Sequence, residues 1–573
     1  MRIVLLCFLF LPSLLDAQLP TTRFETSKGN ESVTYYEAIA AWKQIDKTST
    51  QVQLLTMGAT DAGEPLHLVL VSADGSFTPQ QWKAKNKAVI LINNGIHPGE
   101  PDGIDASIWM VKDIVSKKLQ LPANVVLAII PVYNIGGSMN RTPFYRIDQN
   151  GPIEKGFRGN SQNLDLNRDF IKCDSKEARS FAEIFHFVQP DIFLDNHVSN
   201  GADYQHVMTL LTTQHNKLGG VMGEYLNKTF EPAIYQSMKE KGYDLIPYVN
   251  NFGDKPENGW GAYWDGPRYS SGYTALFGTF SFVPETHMLK PYAQRVDATY
   301  KLMQSFIEFA SANATTIKEL RKQQHQNFIT QQQFPFGFTA DRTKFTELKF
   351  KGYAAEQKPS NISGMPRLYY NHDKPFEVTM KFYNFFTPKT QIEKPKAYII
   401  PQGWWKVIEL LQLNKVQMQR FARDTSIEVE VYKIEDYKSG ARPYEWHHMN
   451  TDVKTSSTVK SMKFRKGDWY IPMNQPANHF LIQVLEPTGE DSYFAWNFFD
   501  PILGQKEGYS AYAFEEIAEA YLKNNPTVKE KLEQRRNTDT AFAKNGRAQL
   551  NFVYQNSPYA EPDYLRYPVY RVK

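Results

Sequence analysis

The sequence predicts an α/β domain with a largely parallel or mixed sheet, followed by a β-rich C-terminal region. Up to about residue 285, short apolar runs alternate with helical segments, which is typical of an α/β domain. Beyond residue 331 the expected strands are separated by Pro, Gly and Asn instead of by helices. A chain of 573 residues also exceeds what one hydrophobic core usually organises, so we expect two or three domains.

The periodicity of apolar residues predicts the individual elements. In the first half we expect helices over residues 36–45, 102–117, 175–188 and 293–327, and strands over residues 52–57, 66–72, 88–92, 125–132 and 191–195. In the second half we expect a helix near 513–523 and strands over 345–353, 376–385, 396–400, 426–432 and 459–464. We therefore divide the chain into a signal peptide at 1–17, an α/β domain at 18–330 and a β-rich accessory region at 331–573, in which a separate C-terminal subdomain is an open alternative.

The composition excludes two classes of protein. Hydrophobic residues make up 42% and aromatic residues 14% of the chain, which is enough for packed domains, and charges of both signs are interspersed, so no long disordered tail is indicated. The net charge of +4 is small for this length and forms no basic stripe. We therefore expect no nucleic-acid partner.

The N-terminal residues are typical of a cleavable secretory signal. Arg2 gives a positive start, residues 3–15 are almost wholly apolar, and Ala17 offers a small residue for cleavage. This stretch is too short to span a bilayer and no second one is long enough, so we expect an exported protein, periplasmic or secreted, with no transmembrane segment after signal removal. A buried strand and an uncleaved anchor are the alternatives. Cys173 would be the one cysteine left, which excludes an internal disulfide.

The strongest chemical signal is the segment NNGIHPGE at residues 93–100, directly after the apolar run at 88–92. His97 and Glu100 form an H-x-x-E pair on a turn that contains Pro and Gly. Zinc takes imidazole nitrogens and carboxylate oxygens at about 2.0–2.2 Å, and this spacing can bring both side chains to one point. The pair alone is weak evidence, but the preceding strand favours a site, because ligand sites gather at the C-terminal ends of strands.

Three further segments place polar groups near expected strands. His197 follows one strand, although an isolated histidine in such a position is more often an ordinary loop residue than a ligand. Between the two histidines, Arg168 offers a fork of donors suited to a carboxylate, and Asp165 could orient a ligating imidazole. Glu285 closes an aromatic strand. Each feature alone has a structural explanation, such as a helix cap, a surface ion pair or a turn.

Taken in order, these motifs resemble those of the zinc carboxypeptidase family, the carboxypeptidase A-like enzymes. In that family an H-x-x-E pair and a later histidine hold zinc, an Asn-Arg pair with an Asp two residues ahead lies between them, and a glutamate at the end of a late strand is the general base. The resemblance covers roughly residues 35–300, about half of the chain. The segment at 564–572 also resembles the end of large exported bacterial members.

The resemblance implies a metal centre and its base. His97, Glu100 and His197 are expected to bind one zinc ion per chain, and Asp165 to lie behind the first of these ligands. Three protein ligands would leave one coordination position for water, from which Glu285 would take a proton.

The resemblance also implies a substrate with a free C-terminal carboxylate, held by Asn167 and Arg168. A further arginine that stabilises the oxyanion is expected ahead of this pair. Arg158 is our choice because its nine-residue lead over Asn167 resembles that of cytosolic members, and Arg141 and Arg146 are the competitors. The partner is therefore expected to be a peptide or a peptide-like molecule.

Two features depart from the family pattern. The third ligand is followed by Val198 and not by the Ser-Tyr of digestive members, so the substrate contacts there are not carried over. The tyrosine that covers the substrate is expected at Tyr263, with Tyr269 and Tyr273 as alternatives on the same loop.

Three functions are compatible with these motifs. We favour a carboxypeptidase that cleaves peptides. A zinc amidase or deacylase acting on cell-wall peptides or another non-protein amide is the alternative. A catalytically inactive binding module is the third reading, and it would be expected to lack a ligand or the base. In the accessory region His447 and His448 are adjacent and would point to opposite faces of a strand, so we interpret them as structural.

The export hypothesis predicts that the mature chain begins near Gln18. Edman sequencing of protein purified from the native host would check this, and protein that still begins at Met1 would contradict it.

Overall fold

The computed structural model describes residues 18–250 and 255–573, so the predicted signal peptide at 1–17 lies outside the described residues. The chain divides into two compact units. The first runs to Lys394 and also includes Leu410–Val416 and Asn474–Gln483. The second comprises Pro395–Glu409, Gln417–Met473 and Val484–Lys573. Residues 331–394, which we assigned from the sequence to the accessory region, therefore lie in the first unit.

An eight-stranded mixed sheet forms the centre of the first unit. The strands up to residue 287 are β1 (Val52–Thr56), β2 (His67–Ser72), β3 (Ala88–Asn94), β4 (Val125–Ile130), β5 (Arg141–Thr142), β6 (Lys155–Gly156), β7 (Ile192–Ser199), β8 (Met208–Thr212), β9 (Ile246–Pro247), β10 (Trp260–Gly261) and β11 (Phe280–His287). The large sheet has the order β1-β2-β4-β3-β7-β11-β8-β9. β4, β3, β7 and β11 are parallel neighbours, whereas β2 and β8 pair with that block in antiparallel fashion. The mixed sheet of the predicted α/β fold is confirmed.

The helices of this unit flank the sheet. They are α1 (Arg23–Thr26), α2 (Tyr35–Thr48), α3 (Pro79–Ala84), α4 (Asp102–Val115), α5 (Ile135–Met139), α6 (Lys176–Val188), α7 (His215–Leu218), α8 (Gly220–Tyr225), α9 (Glu231–Glu240), α10 (Ser270–Ala275) and α11 (Tyr292–Thr330), with 3-10 turns at Leu166–Arg168 and Pro256–Asn258 and a π turn at Leu226–Phe230. Capping side chains explain where two of the helices begin: Thr34 and Glu37 form a capping box at α2, and Ser175 caps α6.

Alternation along the strands places helices on both faces of the sheet. Leu194 of β7 and Phe282 of β11 belong to the main core, together with residues of α2, α4, α9 and α11. Phe193, the neighbour of Leu194 along β7, instead packs against Phe181 of α6. β2, β3 and β4 are buried at every position, which explains their continuous apolar sequences.

Two strands are longer than the sequence pattern predicted. β7 continues to Ser199 and β11 to His287, so His197 lies inside a strand and not after it, and Glu285 lies inside a strand and not at its end. The reason is that parallel pairing continues through the polar residues, with His197 opposite Glu285.

The remaining strands of the first unit explain why it extends to Lys394. They are β12 (Gln333–Ala340), β13 (Thr346–Pro359), β14 (Pro366–Tyr383) and β15 (Phe386–Glu393). β14 pairs with β13 and also with β10, and Trp260 of β10 shares a small core with Phe350 and Phe382. These contacts join residues 331–394 to the loop that precedes α10.

The second unit contains a six-stranded sheet in the order β17-β20-β16-β21-β18-β19. Its strands are β16 (Ala397–Ile400), β17 (Gln419–Arg420), β18 (Thr425–Ser439), β19 (Asn450–Phe464), β20 (Trp469–Pro472) and β21 (Tyr570–Val572). The β-rich character predicted for the C-terminal region is therefore confirmed. His447 packs against Trp496 within this unit, and His448 bonds to the carbonyl of Gly440.

The helices of the C-terminal half are α12 (Trp405–Leu413), α13 (Asn478–Leu485), α14 (Ala511–Asn524), α15 (Pro526–Thr538), α16 (Thr540–Ala543) and α17 (Gly546–Gln555), with a 3-10 turn at Asp500–Leu503. The last four helices share a small core of their own, which includes Phe514, Leu532 and Val553. None of the helices in the described part of the chain is long and apolar enough to cross a membrane. Cys173 is buried and unpaired.

Candidate active site

Three possible metal ligands converge at the C-terminal ends of neighbouring parallel strands. His97 and Glu100 lie on the loop from β3 to α4, and His197 lies on β7. Their ligand atoms all lie within 4.8 Å of one another, and all three side chains are buried. In residues 18–250 and 255–573 this is the one group of three or more His, Cys, Asp or Glu side chains with such geometry.

Both imidazoles turn the same nitrogen toward Glu100. Nδ1 of His97 lies 3.3 Å from Oε1 of Glu100, and Nδ1 of His197 lies 3.1 Å from Oε2. The opposite nitrogens face other carboxylates: Nε2 of His97 lies 3.0 Å from Oδ1 of Asp165, and Nε2 of His197 lies 3.1 Å from Oδ2 of Asp195. A carboxylate behind each imidazole is the arrangement that fixes ring orientation in zinc sites.

The donor set fits a zinc ion. Two imidazole nitrogens and one carboxylate are a known ligand set for zinc at catalytic sites, where a fourth position stays open. Nδ1 of His97 is buried and makes no hydrogen bond within the described residues, although it points toward the carboxylate of Glu100. A cation bound by both groups would satisfy this nitrogen.

Glycines shape the loop that carries His97 and Glu100. Gly95 has φ +67°, a conformation that favours glycine, at the point where the chain leaves β3. At Gly99 a Cβ atom would lie 2.6 Å from Cδ of Arg146. A larger residue at this position would therefore displace Arg146, whose guanidinium contacts the carboxylate of Glu100, or the backbone carbonyl of Gly156.

The competing arginines have different positions. Arg146 donates from Nη1 to Oε1 of Glu100 at 2.7 Å and from Nη2 to the carbonyl of Val198 at 3.0 Å, so it is held against the ligands. Arg158 donates from Nε to Oδ2 of Asp165 at 3.0 Å, and its side chain is 48% exposed. Arg141 binds backbone carbonyls, including that of Val33, and is not among the residues that line the cavity.

These contacts shift the ionisation of the buried carboxyl groups. Burial alone would raise the pKa of Glu100, but His97 and Arg146 lower it well below its usual range. Burial opposes the ionisation of Asp165 in the same way, and His97 and Arg158 lower its pKa. Both carboxylates are therefore charged at neutral pH.

For His197 the charged neighbours again outweigh the effect of burial on the pKa, whereas for Glu285 burial prevails. Burial opposes a charge on His197, but Asp195 and Glu100 raise its pKa well above the usual value, which shows that the position favours positive charge. Burial raises the pKa of Glu285 to about 8, with Glu100 adding to the rise and His197 opposing it. A divalent cation nearby would lower this pKa, because it stabilises the carboxylate form.

One cavity of about 260 Å³ collects the candidate residues. The metal-ligand candidates, Glu285 and the predicted substrate-binding residues all contribute to its lining: His97, Glu100, His197, Glu285, Arg158, Asn167, Arg168 and Tyr263. Arg168 stacks over the ring of Tyr269 at 4.6 Å, and Oδ1 of Asn167 accepts a hydrogen bond from the backbone of Ser270 at 3.3 Å. Asp165 is not part of the lining and stands behind His97.

Of the three candidate tyrosines, two line the cavity and one does not. Tyr263 and Tyr269 line the cavity with their ring centroids 5.4 Å apart. Tyr273 is buried among phenylalanines, and its hydroxyl donates to Oδ1 of Asn414 at 2.7 Å, so it cannot cover a substrate. Tyr248, at the end of β9, also lines the cavity and was missed from the sequence, because no motif marks it.

Asp195 is the second residue that sequence reasoning missed. It precedes His197 by two positions, and residues two apart on a strand point to the same face. Once β7 is extended through His197, Asp195 must lie on the same face of the sheet as His197. The sequence could therefore have identified Asp195. Nδ2 of Asn93 donates to the other carboxylate oxygen at 3.0 Å and fixes the group.

Residues 39–206 match the family model described as Zinc carboxypeptidase. The matched span includes both histidines, Glu100 and the Asn167-Arg168 pair, and it ends before Glu285. A sequence comparison with curated proteins finds no match.

Several solved structures resemble parts of the chain. Carboxypeptidase A from Helicoverpa armigera is 16% identical, with 50% of this chain and 75% of that chain covered and a TM-score of 0.38. A metallo-carboxypeptidase from Burkholderia cenocepacia is 17% identical, with 48% and 68% covered and a TM-score of 0.35. Bovine thrombin-activatable fibrinolysis inhibitor, in complex with tick carboxypeptidase inhibitor, is 13% identical, with 51% and 99% covered and a TM-score of 0.37.

The family match lies on the part of the chain that supplies the buried His-Glu-His group at the ends of β3 and β7. Over residues 39–206 the chain therefore resembles the zinc carboxypeptidases, and this resemblance indicates a metallocarboxypeptidase hydrolase.

Proposed function

We propose that this protein is a zinc-dependent metallocarboxypeptidase that hydrolyses the C-terminal peptide bond of peptides. The observation that carries the proposal is the shared cavity, in which the His97, Glu100 and His197 group and the base candidate Glu285 line the same space as Arg168. A guanidinium at this position suits a terminal carboxylate, and the scissile bond of the last residue would then lie beside the metal ligands.

His97, Glu100 and His197 would hold one zinc ion per chain. When bound, zinc supplies Lewis acidity, which polarises a carbonyl and lowers the pKa of water to about 7. Asp165 and Asp195 would hold the two imidazoles in the tautomer that leaves Nδ1 free to ligate. Arg146 would keep the carboxylate of Glu100 in place.

Glu285 would act as the general base. It lies opposite His197 in the register of β7 and β11, so its carboxylate reaches the cavity beside the ligands without belonging to the ligand group. It would take a proton from the attacking water and return it to the nitrogen of the leaving amine. Burial raises the pKa of this carboxyl and strengthens it as a base, and a bound zinc ion would lower the pKa enough to keep the group ionised for accepting the proton.

Arg158 and Arg168 would bind different negatively charged groups of the substrate. Arg158, whose guanidinium is partly exposed, would donate hydrogen bonds to the carbonyl oxygen as negative charge develops on it. Arg168 and Asn167 would hold the free terminal carboxylate, with Tyr263 against the bound residue. A clamp for the chain terminus accounts for cleavage at the end of a peptide instead of within it.

The distribution of the assigned residues along the sequence supports a related proposal. All residues to which we assign a chemical role lie in 18–330, and we propose that 331–573 is accessory to that chemistry. We also propose that the protein is exported, on the basis of the apolar segment at residues 3–15.

Activity measurements with blocked dipeptides test the main proposal. We expect the purified protein to release the C-terminal amino acid from N-blocked dipeptides and to lose this activity in the presence of a chelator. C-terminally amidated versions of the same peptides are the control, because they lack the carboxylate for Arg168, and they should react much more slowly. Cleavage of muropeptides with no cleavage of any blocked dipeptide would favour the cell-wall amidase instead.

The metal assignment predicts that His197→Ala removes most of the zinc, whereas Asp165→Asn and Asp195→Asn weaken zinc binding by about 10–100-fold each. The asparagine variants keep the side-chain size but lose the charge that orients each imidazole. Competition with a zinc-binding dye would measure the affinities. Asp191→Asn is the matched control, since this buried aspartate pairs with Lys318 and Arg321 and not with a ligand. Full zinc occupancy in His197→Ala would refute the ligand set.

The base assignment predicts that Glu285→Gln retains zinc and fold but loses at least about two orders of magnitude in kcat, with little change in KM. Glutamine keeps the size and much of the hydrogen bonding of Glu285 but cannot accept the proton. Steady-state kinetics on the zinc-loaded variant would check this. Glu231→Gln, which alters a carboxyl bonded to Thr212 and Tyr235 outside this cavity, should leave kcat unchanged. Near-normal turnover in Glu285→Gln would show that another group activates the water.

A further inference from the structure

One wall of the cavity contains a buried acidic side chain, Asp265, that the proposed chemistry does not use. Leu211 and Val283 pair across β8 and β11 and both line the cavity. Asp265 and Ser271 line it beside them, and the carboxylate of Asp265 is 1% exposed. If the negative charge of Asp265 were accessible to the ligand, this wall would favour substrates with a basic C-terminal residue.

Four donors occupy the carboxylate of Asp265. Oδ2 accepts hydrogen bonds from the hydroxyls of Thr213 and Ser271, each at 2.8 Å. Oδ1 lies 2.7 Å from Nζ of Lys217 and accepts a longer bond from the backbone of Gln214 at 3.3 Å. The hydrogen-bonding capacity of the carboxylate is therefore used within the protein.

Lys217 lies behind Asp265 and is not part of the cavity lining. It is buried on α7, its ammonium group also donates to the backbone carbonyl of Asp265, and it lies 5.3 Å from the ring centroid of Trp264. Since its positive charge is directed at Asp265 from the side away from the cavity, it neutralises the wall without offering a charge to an acidic ligand.

We propose that the wall formed by Leu211, Val283, Asp265 and Ser271 is the specificity pocket for the side chain of the C-terminal residue, and that the Asp265–Lys217 pair makes it electrically neutral. The enzyme would then remove uncharged C-terminal residues and discriminate against Lys, Arg, Asp and Glu. The inference rests on the proposed carboxypeptidase function. A charged side chain held against this wall would lose its hydration, and the wall offers it no free group of opposite charge, because the protein's own donors occupy Asp265. Ser270, whose buried hydroxyl makes no hydrogen bond within the described residues, gives the pocket a further uncharged polar group.

Lys217 is then the residue on which the neutrality depends. In Lys217→Met the aliphatic volume is largely kept, but the buried carboxylate of Asp265 loses its counter-charge. A substrate that brings an ammonium or guanidinium group into the pocket would restore it, because a buried charge left without a partner is costly.

The test compares kcat/KM for N-blocked dipeptides that differ only in the last residue: Leu, Thr, Lys, Arg or Glu. For the zinc-loaded wild-type protein we expect the peptides ending in Leu or Thr to be cleaved at least about tenfold better than the others. Lys217→Met should raise the Lys-to-Leu ratio of kcat/KM by at least about tenfold. The double variant Asp265→Asn/Lys217→Met is the control and should return the ratio to the wild-type value, because neither charge remains.

A binding measurement separates this inference from the proposed function. Free L-lysine should raise the Tm of zinc-loaded Lys217→Met more than free L-leucine does, and it should not do so for the wild-type protein. If no peptide is cleaved, the proposed function fails, while the Tm comparison still decides the charge of the pocket. Wild-type preference for a charged terminal residue, or a folded Lys217→Met with an unchanged Lys-to-Leu ratio, would overturn the inference. If Lys217→Met does not fold, the wild-type panel decides alone.

Discussion

The parallel pairing of β7 with β11 sets the geometry of the site, because it holds His197 opposite Glu285 at the edge where β3 also ends. Side chains alternate between the two faces of a sheet, so a shift of one residue would turn either group away from the cavity. The same alternation brings Asp195 onto the face of His197. One register thus places a proposed ligand, the carboxylate behind it and the proposed base together.

The charged side chains near the paired His197 and Glu285 stabilise one another. Glu100, Asp165 and Asp195 are carboxylates close to the two imidazoles, and isolated buried charges of this kind would be costly. Arg146 and Arg158 offset part of the negative charge through Glu100 and Asp165. The raised pKa of His197 shows that the remaining field still favours a cation at this position. A bound zinc ion would complete this balance, which explains why so many ionisable groups can share one buried region.

The wall of the cavity depends on a part of the chain that is remote in sequence. β10 pairs with β14, and the backbone of Ala262 donates to the carbonyl of Tyr383 at 3.0 Å. Tyr263 follows directly, and Asp265 lies two residues further on. Residues that we first assigned to an accessory region therefore support the loop that lines the cavity.

The sequence by itself predicted the fold class and the candidate site residues. Apolar periodicity identified the strands of the parallel block. The order of the H-x-x-E pair, the Asn-Arg pair, His197 and Glu285 along the chain carried the resemblance to the zinc carboxypeptidases that named the candidate residues. Tertiary structure decided what local spacing does not encode. In the folded chain Arg146 binds the carboxylate of Glu100, whereas Arg158 stays partly exposed. Tyr273 is buried away from the cavity. Asp195 contacts His197, and Tyr248 lines the cavity. The tertiary structure also paired Asp265 with Lys217, an ion pair across 48 positions of sequence that no motif announces. The physical reason is that burial and charge pairing arise from contacts between distant segments, and those contacts exist only after the sheet has formed.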